Sequence, residues 1–355
     1  MTQPPAQDWR TLKDERLVPY GETNLGTPLE LLEDIVVPTE LFFVRSNYRV
    51  PTVDPATWRL RIHGLVDRPL ELGLADLRAL PQRSVVAVIE CSGNSRSGFE
   101  PATPGTPWRH DAVGNAVWTG VGLGDVLALA GPRPESVEVI SQGADDPLMR
   151  RGLPLRAATE PDTLLALQMN GEDLVAAHGA PARLVVPGWG GIASTKWVTG
   201  LELADQRWDG LWNAVEYVLL DESGQETGRV EEMPVKSVIA RPARAAEIDP
   251  GPATVSGYAW SGHGQVAAVE VSVDGGHSYQ PATVVERAGP RAWVRWSYTW
   301  VAEPGPIRLT ARATDTAGRT QPEVAVWNAK GYQMNAIMGV DVEVRRRPGR
   351  GQMAR

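Results

Sequence analysis

One cysteine, Cys91, stands in 355 residues. That excludes an internal disulfide framework and any CxxC-type zinc or redox pair. No run of 18 apolar residues occurs, so no helix of the chain is expected to span a membrane. Basic residues are in the minority, 35 against 43 acidic for a net charge of −8, which argues against nucleic acid or an anionic membrane as the main partner. Neither the Walker A spacing nor GxGxxG occurs, which removes a P-loop and any support for a dinucleotide fold. The histidines, His63, His110, His178, His263 and His277, make no HExxH or His-x-His pairing, so a polyhistidine metal site is not expected. Residues Met1–Asp8 lack the apolar stretch of a signal peptide and a twin-arginine pair. The chain therefore reads as cytoplasmic, or as periplasmic if a leader has been removed.

What is present is an ordinary globular composition, 42% hydrophobic and 22% charged, in a chain too long for one comfortable core. Two domains are expected, 1–234 with an extended N-terminal arm over 1–35, and 235–345, followed by a basic tail over 346–355 that reads as disordered. In the first, a short helix is expected near Leu29–Asp34, strands at Leu41–Tyr48, Trp58–Gly64, Val85–Ile89, Val137–Ile140, Leu164–Met169 and Leu184–Val186, and short helices at Leu74–Leu80 and Leu123–Ala130. From about Pro234 short alternating segments take over. Val294, Trp296, Tyr298 and Trp300 point to one face, and Asp274-Gly275-Gly276 reads as a hairpin connection. This is the pattern of an immunoglobulin-like β-sandwich.

Two dense stretches carry chemistry. In Val85–Gly98 a buried strand ends in Glu90-Cys91 and is followed by the loop Ser92-Gly93-Asn94-Ser95 with Arg96. The plain reading of a lone cysteine is a small buried hydrophobe. The other is a thiolate aimed into a cleft and favoured by a nearby cation. In His178–Trp197, His178 and Arg183 precede a strand and Ser194, Thr195 and Lys196 follow the Gly188–Gly191 loop. Donors and cations gathered around a glycine loop suit a phosphate or other anion. The adjacent carboxylates Asp145-Asp146 fit either a catalytic pair or an acidic turn before Pro147.

With Phe43-Val44-Arg45, Cys91-Ser-Gly-Asn-Ser-Arg96, Pro107-Trp108, His178-Gly-x-Pro-x-Arg183, Val186-Pro-Gly188, Lys196-Trp197 and Gly257-Tyr-Ala-Trp-Ser-Gly262 in order, the chain resembles the sulfite oxidase family over about residues 35–344. The resemblance implies an α+β architecture: a molybdopterin-binding α/β domain followed by an all-β immunoglobulin-like domain that pairs two copies. It implies molybdenum with molybdopterin as cofactor, Cys91 as the metal's thiolate ligand, and Phe43, Val44, Arg45, Ser46, Asn47, Asp145, His178, Arg183, Ser194, Thr195 and Lys196 as residues holding the pterin and its phosphate. It implies a substrate pocket formed by Arg45, Arg96, Trp108 and Tyr217, with Lys330 of Trp327-Asn328-Ala329-Lys330 where animal members carry an arginine. Lysine keeps the charge but loses the planar fork.

The implied reaction is oxidation of sulfite to sulfate, with electrons leaving to a cytochrome c-like protein or dioxygen, since no haem motif is present. The same scaffold acting in nitrate reduction or sulfane-sulfur oxidation is the alternative. A cysteine hydrolase would need a general base beside Cys91. A non-catalytic binding protein would have no use for the cysteine and the cations.

Overall fold

A computed structural model describes residues 8–346. Of the basic tail expected over 346–355, all but the first residue lies outside the described residues. Among the described residues no helix is long and apolar enough to cross a membrane.

The fold is mostly sheet, with α-helices only at Leu74–Ala79, Leu123–Ala128 and Leu155–Ala158. The strand that leads to the cysteine is Gln82–Glu90, at one edge of its sheet. It pairs antiparallel with Val113–Gly122, which pairs in turn with Leu164–Met169; the far edge of the last is shared by Glu172–Asp173 and Arg183–Val185. Burial deepens along Gln82–Glu90, from three exposed residues to the fully enclosed Ala87-Val88-Ile89-Glu90, so the strand delivers Cys91 to the interior. A second sheet runs Leu70–Leu72, Leu60–Gly64, Val198–Ala204, Glu138–Gly143, Arg150–Pro154, with Leu60–Gly64 and Val198–Ala204 parallel.

The strands from Lys236 onward form two sheets. Lys236–Arg241, Gly251–Trp260, Val294–Ala302 and Thr283–Arg287 make one. Glu247–Ile248, Val340–Val344, Gly305–Asp315, Val266–Ser272 and Gln280–Pro281 make the other. Val255, Trp296, Leu309 and Val342 lie in the core between them. A further apolar cluster joins the halves, combining Trp118 and Met169 with Met233, Tyr258, Trp260 and Trp293.

Three expectations are corrected. The stretch Leu41–Tyr48 is not a strand: apart from a bridge between Leu25 and Val44 it has no sheet partner. Leu41, Phe42, Phe43 and Val44 are all buried, so the run fills core on every side instead of alternating, and the Leu41 carbonyl accepts from Thr27 Oγ1. The helix expected at Leu29–Asp34 shrinks to the single 3-10 turn Leu29–Leu31, and the strand expected at Val137–Ile140 runs on to Gly143.

Candidate active site

A cleft opens at the end of the Gln82–Glu90 strand. The end of the Gln82–Glu90 strand supplies Ile89, Cys91 and Ser92; the irregular run after Phe42 supplies Phe43, Arg45, Ser46 and Asn47; the turn after Gly143 supplies Asp145; and the segment after His178 supplies Arg183, Ser194, Thr195 and Lys196. Tyr217 closes one side. Residues scattered over about half of the chain thus share one concavity. Cys91 is 8% exposed.

The charge balance of the walls is lopsided. Lys196, partly buried, donates through Nζ to Ser46 Oγ at 2.7 Å and to the Ala177 carbonyl at 3.0 Å. Arg183 donates to the carbonyls of His178 at 3.2 Å and Ser194 at 3.1 Å, with its guanidinium 4.9 Å from the Trp118 ring. Arg45 donates to the Ser46 carbonyl and Asn47 Oδ1. Among the described residues, none of these three cations has a carboxylate within 4.0 Å. Burial, and then Arg183, holds the Lys196 ammonium well below its ordinary pKa; burial lowers Arg183 to about 9. Asp145 is pushed up to about 6 by burial, and its Oδ1 has no hydrogen-bond partner. Buried cations facing neutral partners are costly unless an anion joins them.

The arm adds a cation that the sequence did not disclose. Lys13 Nζ donates to the Thr39 carbonyl and lies 3.0 Å from His178 Nε2. Burial lowers Lys13 to about 7. The unfolded chain keeps that proton up to the ordinary lysine pKa while the folded chain releases it from about pH 7, so stability of the cofactor-free protein rises with pH in this window. The gain is on the order of 2 kcal/mol between about pH 7 and about pH 9. Lys196 acts in the same direction. Urea titrations across that range should show the rise and its flattening in Lys13→Met; an unaltered slope would exclude Lys13 as its source.

Several expected residues lie elsewhere. Val44 is core, beside the cleft rather than in its wall. Trp108 is wholly buried against Tyr20, ring centroids 4.5 Å apart, and does not reach the cleft. Arg96 is 7% exposed and its Nε, Nη1 and Nη2 each donate to a carbonyl, of Gly331, Thr106 and Lys330, at 3.0–3.1 Å. Lys330 is turned to the Val215 carbonyl and to Glu216, 3.2 Å away. Both cations therefore brace the 328–332 loop. That loop carries Tyr332, a residue no sequence pattern marked, stacked on Tyr217 at 4.9 Å and 13° and 5.1 Å under the Arg96 guanidinium.

The glycine loop is also used differently. The amides of Trp189 and Gly190 bond to the Val186 and Glu231 carbonyls instead of facing an anion. A Cβ on Gly190 would come within 2.7 Å of Ser92 Oγ, and one on Gly191 within 2.9 Å of the Glu90 carbonyl. These glycines let two loops touch behind Cys91. Asp145-Asp146 sits in the bend before Pro147, with Asp145 in the cleft wall. Among the described residues no imidazole is hydrogen-bonded to Cys91: His110 bonds Ser95 and His178 faces Lys13, which leaves the hydrolase without its base.

The residues fit a molybdenum–pterin group. A single soft sulfur donor, an orphaned buried carboxylate oxygen and unpaired cations are the complements of a soft metal, a hydrogen-bonding ring and a phosphate.

Residues 47–212 match the family described as oxidoreductase molybdopterin binding domain, and residues 228–345 match the Mo-co oxidoreductase dimerisation domain. The chain is 36% identical over 342 residues to the sulfite oxidase of Gallus gallus, covering 88% of this chain and 74% of that protein. It is 35% identical over 354 residues to the mitochondrial sulfite oxidase of Drosophila melanogaster, covering 90% of this chain but only 62% of that longer protein. Among solved structures, the sulfane dehydrogenase SoxCD from Paracoccus pantotrophus superposes with a TM-score of 0.85 at 30% identity, covering 94% of this chain and 90% of that one.

Proposed function

The chain belongs to the sulfite oxidase family of molybdopterin oxidoreductases, and on that premise we propose that it oxidises sulfite and water to sulfate, two protons and two electrons. The observation that carries the reading is the position of the only cysteine, in the wall of a cleft whose cations lack carboxylate partners. Cys91 is the metal ligand. Lys196, Arg183 and His178, with Ser194 and Thr195, hold the phosphate end of the pterin; Ser46, Asn47 and the Asp145 carboxylate hold its ring, with Phe43 and Val44 behind them. When bound, the molybdenum centre supplies the oxygen atom and takes up the two electrons.

The rest is the work of the chain. Arg45, the arginine of the implied substrate set that lines the cleft, draws the dianion in and holds its oxygens. Tyr217, enclosed and stacked on Tyr332, keeps its phenol protonated because burial raises its pKa, so it can donate to an anionic oxygen. Arg96 and Lys330 hold Tyr332 in place and join the substrate set by exchanging their carbonyl partners for the oxyanion. Trp108 anchors the Cys91 loop from beneath. The second half pairs two copies, and an external one-electron acceptor, a cytochrome c-like protein or dioxygen, removes the electrons.

Protein expressed in a host that makes the pterin cofactor should carry close to one molybdenum per chain and reduce ferricyanide or cytochrome c with sulfite. Absence of the metal would sink the reading. Turnover of nitrate or a persulfide in place of sulfite would keep the scaffold and cofactor and replace the substrate.

A further inference from the structure

We propose that Glu90, Lys236 and Trp260 form a positioning device by which the second half of the chain sets the Cys91 loop; the inference rests on Cys91 being the molybdenum ligand. Glu90 is the residue before Cys91 and the last of its strand. Its carboxylate and the Lys236 ammonium are 2.7 Å apart, with side chains only 5% and 3% exposed. Glu90 Oε1 also accepts from Asn94 Nδ2 at 2.9 Å, and Oε2 accepts from Trp260 Nε1 at 2.9 Å. Lys236 Nζ donates as well to Ser95 Oγ at 3.3 Å, and that hydroxyl is 2.7 Å from His110 Nδ1.

The same residues grip the backbone around the thiol. The Asn94 amide donates to the Cys91 carbonyl at 2.7 Å, the Cys91 amide to the Ala112 carbonyl at 2.9 Å, and the Ala112 amide to Asn94 Oδ1 at 3.1 Å. Ser95 holds φ at +68°, a left-handed conformation that a non-glycine residue keeps only when its surroundings impose it. Lys236 and Trp260 lie on adjacent strands of the sandwich, Lys236 opposite Trp260 in register. Gly190 and Gly191 press on the loop from the other side.

Stability alone does not account for this arrangement. A buried ion pair seldom outperforms apolar side chains of the same volume, whereas fully satisfied buried polar groups enforce one geometry. Here every oxygen of the carboxylate is engaged, and the constrained loop is the one that carries the sole soft ligand. Glu90, Lys236 and Trp260 do not line the cleft, so their effect on chemistry is through Cys91.

Because Cys91 is the only thiol, its alkylation by iodoacetamide in the cofactor-free protein reports on this loop alone. Trp260→Phe and the neutral double variant Glu90→Gln/Lys236→Gln should fold cooperatively and alkylate at least about tenfold faster than the wild type. In the holoprotein the same variants should alter the sulfur shell at the molybdenum K-edge and lower kcat while leaving KM in place. Lys236→Met, which leaves the Glu90 carboxylate buried without its cation, should show the largest effect; if it does not fold, the other two variants decide. Unchanged alkylation together with an unchanged sulfur shell would overturn the device. A wild-type protein that takes up no molybdenum would overturn the ligand reading instead, and with it the purpose of the device.

Discussion

Cys91→Ser is expected to lower kcat for sulfite by roughly three orders of magnitude, equivalent to about 4 kcal/mol of barrier, while the apoprotein melts close to the wild type. The exchange changes one atom in a side chain that is 8% exposed at a cleft wall, so the fold should lose no more than about 1 kcal/mol. The chemistry, by contrast, loses its only soft donor. A serine hydroxyl stays protonated near neutral pH and is a hard oxygen ligand, poorly matched to a centre that thiolates select. No second cysteine can take over, and among the described residues no group of three or more His, Cys, Asp or Glu side chains could hold a metal in its place. Metal content, kcat and apoprotein melting measured together separate the outcomes. Full molybdenum with wild-type turnover in the serine variant would mean that Cys91 is a packing residue after all.

The second large effect should run in opposite directions for stability and for function. Lys196→Met is expected to make the cofactor-free protein more stable, by about 1–3 kcal/mol, the usual cost of a buried polar group without adequate partners. It should also abolish retention of the cofactor. The ammonium has Ser46 Oγ and the Ala177 carbonyl as neutral partners, lies over the Trp197 ring at 4.2 Å and is repelled by Arg183. Methionine fills much the same volume and removes the desolvated charge. What is lost is one of the cations assigned to the phosphate, and with it the linkage by which bound cofactor would stabilise the fold. Thermal melting of apoprotein beside quantified pterin and molybdenum is the measurement. A variant less stable than wild type that still keeps the cofactor would show that Lys196 is a structural cation.

Much of this was legible from residue order alone, for identifiable reasons. The β-branched run before Cys91, the alternation Val294–Trp300 and the Asp274-Gly275-Gly276 connection follow periodicity and turn chemistry that act within a few residues. The cationic wall of the cleft was legible because its cations and hydroxyls cluster between His178 and Lys196. What local pattern cannot supply is the direction in which a long side chain is finally used. Arg96 reads as a free cation beside a thiol, yet three carbonyls from remote loops claim it. Leu41–Val44 reads as a strand because its residues are apolar and branched, yet the core encloses it from all sides. Tyr332 and Lys13 acquire their positions only through contacts across most of the chain. The Glu90–Lys236 pair shows the same limit most plainly, since neither residue has any neighbour in sequence that announces the other.

The parallel pairing of Leu60–Gly64 with Val198–Ala204 bears on how the protein is made. Arg61 meets Gly200 as its register partner, so an early strand waits for one that leaves the ribosome much later. At synthesis rates of about 5–20 residues per second, that delay is on the order of ten seconds. Lys196, two residues before the late strand, cannot take its place in the cleft until the pairing closes, and the Cys91 loop lacks Lys236 and Trp260 until later still. The nascent chain must therefore pass through a stage in which Cys91 is already made but the cleft around it is not.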